Sequence, residues 1–149
     1  MTAGRPPGEP SPSMSSDQTA GLARLGYVVV AWAFLACLGV QLFLVGLDIF
    51  EVTGEDVGIH RDFAYVYGWL APALVLLGVA ARLPRRTLLL TTALLVLFAV
   101  QTYLPSLADE LPNVAALHAV NAIAVVWISA TLAVTVPRRI GPGAEGGGS

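Results

Sequence analysis

The chain has 149 residues, 56% of them hydrophobic and 12% charged, with a mean hydropathy of +0.73; this excludes an ordinary soluble domain and leaves room for one small bundle. A formal net charge of -2, with arginines set beside apolar runs rather than along one face, excludes a nucleic-acid partner. The single cysteine, Cys37, lies inside the first apolar run, so neither an intramolecular disulfide nor a Cys-x-x-Cys-His haem attachment is available.

Residues 1–22 are rich in proline, glycine and serine and bury too little apolar surface to offset their ordering entropy, so a disordered cytoplasmic tail is expected there. Residues 23–138 form the membrane domain, with helices expected over about 25–47, 59–81, 87–104 and 114–136. At a rise of ~1.5 Å per residue even the shortest run reaches ~27 Å, close to the ~30 Å hydrocarbon thickness. Strands are excluded because an open sheet leaves backbone groups unpaired in lipid and four segments cannot close a barrel. Inside the second run Pro72 has no N–H for the carbonyl of Gly68, which predicts a kink. Pro84 punctuates the second connection, and Pro105 and Pro112 bracket the third. Residues 139–149 are Gly-rich and are expected to form a second disordered tail.

Short connections force neighbouring helices to run antiparallel, which gives an all-α, up-down-up-down four-helix membrane bundle. Arg24, Arg82, Arg85, Arg86, Arg138 and Arg139 fall on one side of it. Asp48, Glu51, Glu55, Asp56, Asp62, Asp109 and Glu110 fall on the other, with Arg61 alone among them. The positive-inside rule then places both termini in the cytoplasm of a multi-pass protein of the cell membrane.

Polar side chains inside such spans are costly and mark function. Counted inward from the outer ends at ~1.5 Å per residue, Gln41 lies ~9 Å deep, Gln101 ~5 Å, His118 ~6 Å and His60 ~2 Å. Each helix thus contributes one large polar residue to the outer half. His60, Ala64, Gly68, Ala71, Val75 and Gly78 share one helical face, as do His118, Asn121, Ala122, Val125 and Ser129. Small residues beneath each histidine allow close helix approach, or leave room for a flat macrocycle. Helices 2 and 4 are diagonal in a simple bundle, ~14 Å apart, about the span of two imidazoles and a metal. A b-type haem held by His60 and His118 is therefore one reading, with Gln41, Gln101 and Asn121 as polar contacts and Arg61 pairing a propionate. In the bland reading His60 is a wetted interfacial residue, and His118 makes an interhelical hydrogen bond to Gln101 or Asn121 worth roughly 1 kcal/mol. Trp32, Trp69, Trp127 and the four tyrosines are packing or interfacial residues in either case.

The residues Gln101-Thr102-Tyr103-Leu104, an acidic loop, then Leu117-His118 with Asn121-Ala122, resemble the second helix pair of the haem-binding four-helix units in the haem A synthase family. Ile59-His60-Arg61 resembles the helix that bears a haem-ligating His-Arg there. The whole membrane region is also similar to a family of small four-helix bacterial membrane proteins of unknown function carrying this Gln, His-Arg, Pro-Arg-Arg, Gln, His, Asn order. The synthase has two such units and a glutamate near its first histidine. Here there is one unit, and Gly58-Ile59 precede His60, so the resemblance implies haem binding rather than the synthase reaction.

Two function classes stand side by side on these residues: a haem-binding redox or haem-handling module near the outer face, or a non-catalytic membrane subunit whose buried His and Gln residues fix helix packing. A transporter is disfavoured because no carboxylate is expected within a span to couple ions. No phosphate-binding loop, nucleophile triad or Cys/His cluster supports soluble-enzyme chemistry. The partners expected are the lipid bilayer and a redox partner or second membrane subunit; the sequence does not choose an oligomeric state.

Overall fold

The computed structural model describes residues 15–50 and 58–138; the expected tail segments 1–14 and 139–149 lie outside it. All regular structure among the described residues is helical, and four helices are long and apolar enough to cross a membrane.

Helix α1 runs Ser16–Ile49. It begins well before the expected start near residue 25, because Ser15 and Gln18 form a reciprocal cap that an eye on Pro and Ser content overlooks. The Gln18 N–H donates to Ser15 Oγ at 3.2 Å, and the Ser15 N–H donates to Gln18 Oε1 at 2.9 Å. Asp17 in the first turn meets the positive end of the helix dipole. Residues 16–22, expected to be disordered, are therefore helical. At ~1.5 Å per residue the helix is ~51 Å long, so its ends extend beyond a ~30 Å hydrocarbon layer.

The second span is broken into α2 (Gly58–Tyr67) and α3 (Leu70–Ala80). The break falls where Pro72 deprives Gly68 of its usual donor: the Gly68 carbonyl accepts instead from the Ala71 N–H at 3.1 Å. A turn follows in which Arg82 takes a left-handed φ of 52°. The Leu83 N–H reaches back to the Gly78 carbonyl at 3.0 Å, and Pro84 opens α4 (Arg85–Tyr103). The third span ends in a 3-10 turn, Leu104–Leu107, with Pro105 near its start. Pro112 opens the short α5 (Pro112–Ala115), and α6 (Leu117–Arg138) completes the fourth span.

Consecutive spans are antiparallel. Gly26 packs on Leu77 while Gln41 reaches His60, and Gly78 packs on Leu88 while Gly68 packs on Phe98. Likewise His118 meets Gln101 and Asn121 meets Leu97. The first and fourth spans also touch, so the second and fourth face each other across the bundle.

The interior is built on Tyr27, Phe34, Leu74, Leu94 and Val125, all fully buried. Phe34, Tyr67 and Phe98 pack edge to face, each pair of ring centroids 5.4–5.5 Å apart. The small-residue stripe of the second span serves this packing. A Cβ on Gly68 would stand 2.9 Å from Phe98 Cε1, and one on Gly78 would stand 3.0 Å from Leu88 Cδ2. Deeper toward the arginine end, the Tyr27 hydroxyl lies 2.7 Å from Thr91 Oγ1. The Thr91 hydroxyl donates to the Thr87 carbonyl at 2.9 Å, so Tyr27 is the donor to Thr91. The outer surface is apolar too: Trp69 is 77% exposed and Trp127 75%, alongside Phe43, Val66, Leu76 and Ile123. A surface of this kind is stable against lipid rather than water. The chain is a multi-pass membrane protein.

Candidate functional site at one end of the bundle

The end opposite the span 2–3 turn carries two polar clusters, each joining a consecutive pair of spans. The first joins α1 to α2. Gln41 Nε2 donates to the His60 backbone carbonyl at 2.9 Å, and His60 Nδ1 lies 2.8 Å from Asp48 Oδ2. The carboxylate oxygen sits off the line of the ring N–H, so this is a close contact rather than an aligned hydrogen bond. Both side chains are largely enclosed, 30% exposed for His60 and 16% for Asp48. Gln41 Oε1 is buried with no protein donor.

The second cluster joins α4 to α6, and its origin is a proline. Pro105 has no N–H, so the Gln101 carbonyl loses the donor that a helix normally supplies four residues on. His118 fills that place, its Nδ1 lying 3.0 Å from the Gln101 carbonyl oxygen. A carbonyl only accepts, which puts the proton on Nδ1 and the lone pair on Nε2. That lone pair accepts from Gln101 Nε2 at 3.0 Å. Asn121 Nδ2 completes the knot by donating to Gln101 Oε1 at 2.6 Å and to the Leu97 carbonyl at 2.9 Å. Gln101 thereby uses its backbone and both ends of its amide against one face of α6.

Four residues singled out from sequence at the outer ends thus fall into these clusters, as does Asn121: Gln41 and His60 in one, Gln101, His118 and Asn121 in the other. Arg61 does not join them. It is exposed and lies 3.4 Å from the equally exposed Asp62. Asp48 was missed as a site residue, being read as part of an acidic loop. The signal was its spacing of two helical turns from Gln41, which puts both on one face of α1. Since α1 continues to Ile49, Asp48 lies in the last turn of the helix rather than in a loop.

A haem iron at this end would need Nε2 of each imidazole as its donor. The carbonyl on Nδ1 of His118 leaves Nε2 as its electron-pair donor, the state a metal-ligating imidazole requires, and here that pair accepts from the Gln101 amide. Below the histidines the Phe34, Tyr67 and Phe98 rings fill the interior, so any such group is confined to the end itself. Among the described residues no three His, Cys, Asp or Glu side chains gather as a metal-ion site.

No curated protein and no solved structure matches the chain. Residues 41–107, the stretch that opens at Gln41 and takes in Asp48, His60 and Gln101, match the family of unknown function DUF6220.

Proposed function

We propose that the protein lies in the cell membrane with both termini cytoplasmic, and that its outward end binds a b-type haem between His60 and His118. The arginine asymmetry supports the orientation. One observation carries the site: the two imidazoles come to the same end on spans that face each other, each with Nδ1 beside an oxygen. His60 and His118 hold the iron, Gln41, Gln101 and Asn121 supply polar contacts, and Arg61 meets a propionate from the rim. The Gln101 amide must leave Nε2 of His118 for this to occur. Haem, when bound, supplies one-electron redox chemistry; the resemblance to haem A synthase units supports the same assignment. A redox partner or a second membrane subunit meets this end.

A second reading is favoured by that same amide: His118 and Gln101 serve as an interhelix fastener and the protein is a non-catalytic membrane subunit. Colour separates the two. Detergent-purified protein from a haem-replete host is expected to show a Soret band and a reduced α-band, both lost in His118→Ala. A colourless preparation of normal helicity refutes haem binding and leaves the fastener. An unchanged low-spin spectrum in His60→Ala removes His60 as a ligand.

A further inference from the structure

The opposite end of the bundle carries chemistry that the histidine site does not use. Arg24 on α1, Arg82 in the turn between spans 2 and 3, and Arg85 and Arg86 in the first turn of α4 are brought to one rim. Their proximity follows from the packing: Gly26 lies on Leu77, Gly78 lies between Tyr27 and Leu88, and Arg82 Nη1 comes within 3.8 Å of Asp17 Oδ1. Asp17 is the only carboxylate among the described residues at this end, so four guanidinium groups face one negative charge.

Among the described residues, Arg82 alone of these cations has a carboxylate partner, the exposed Asp17. Arg24 is partly enclosed, yet its Nε is buried with no hydrogen-bond partner. Arg82 occupies a left-handed position at φ 52° that glycine would hold with less strain, and its guanidinium is exposed. Arg85 and Arg86 are exposed beside it. Directly adjoining this rim is an apolar flank that includes Leu22, Leu25 and Leu89, all exposed.

We infer that this rim binds the headgroups of anionic phospholipids. A guanidinium matches a phosphate with paired N–H donors, and the flank beside it suits the acyl chains of the same molecule. A free phosphate would use the first feature and not the second.

The test is thermal unfolding of the full chain in a neutral detergent, with phosphatidylglycerol, phosphatidylcholine of the same acyl chains, or inorganic phosphate added. Phosphatidylglycerol is expected to raise Tm by about 5 °C over phosphatidylcholine, the order that a saturating native-state ligand gives a chain of this size. Arg85→Gln/Arg86→Gln, at exposed positions outside the core, is expected to lose most of that difference. Arg24→Gln is expected to lose part of it while unfolding normally in phosphatidylcholine. Equal Tm in the two lipids overturns the inference, as does a double variant that keeps the full difference. Stabilisation by inorganic phosphate equal to that by phosphatidylglycerol overturns it too, by marking a site for free anions.

Discussion

The knot between α4 and α6 is where the geometry makes its most quantitative demand. Gln101→Leu keeps the backbone carbonyl that accepts from His118 Nδ1 but removes the amide that donates to Nε2 and accepts from Asn121. His118→Ala removes both ring contacts. The two changes share one side-chain hydrogen bond, so a double-mutant cycle isolates it. Interhelical hydrogen bonds in membranes average ~0.6 kcal/mol and reach ~1.7 kcal/mol. The Gln101–His118 coupling is expected in the upper half of that range, since the amide sits in a chain of bonds running from Asn121 through Gln101 to the ring. Each single change should cost more than the coupling, because Gln101→Leu also strands one Asn121 contact and His118→Ala also frees the Gln101 carbonyl. The measurement is unfolding in mixed micelles by titration with a denaturing detergent, in protein prepared without haem. A coupling below ~0.3 kcal/mol, the scatter of independent sites, would refute the account of this cluster as a fastener.

Two further outcomes follow from the core. Gly68→Ala places a methyl 2.9 Å from Phe98 Cε1 and 2.8 Å from the Ala64 carbonyl, and is expected to destabilise the bundle by about 1–3 kcal/mol. Phe98→Leu should relieve part of that cost, and a Gly68→Ala variant as stable as the parent would show that the second and third spans do not approach as described. Tyr27→Phe keeps the ring and removes the donor to Thr91, so a loss of roughly 0.6–1.7 kcal/mol is expected, with Thr91→Val non-additive with it. Additivity of the two would place the hydroxyls apart.

The four spans were legible because an apolar run of about twenty residues has one stable form in lipid, and hydropathy reports it without knowledge of neighbours. The break in the second span was legible for a similar reason, since Pro72 lacks its N–H whatever surrounds it. The start of α1 was not: a cap of two polar residues, Ser15 and Gln18, carries little weight in a tail dominated by proline and glycine. Gln41, His60, Gln101 and His118 were found by depth, and Asn121 by its place on the helical face of His118. The Gln101 partner of His118 was legible as one of two candidates, whereas Asp48 beside His60 and the backbone carbonyls of Gln101, Leu97 and His60 were not, because they depend on tertiary contact. The use of Gly68 and Gly78 was half legible. Small residues announce close approach, but only the packed structure shows Phe98 and Tyr27 filling the space. Asp48 escaped because it sits at a boundary, where one more turn of helix converts a loop charge into a neighbour of His60.

The proline after Gln101 has an effect beyond the bond it omits. Re-threading the fourth span by one residue would turn each side chain by ~100° and swing His118 away from the carbonyl that Pro105 leaves open at Gln101. That vacancy therefore acts as an index mark for the fourth span, independent of the segment that leads into it. Residues 108–111 are free to lengthen, shorten or change composition while the alignment of the two helices stays where the missing hydrogen sets it.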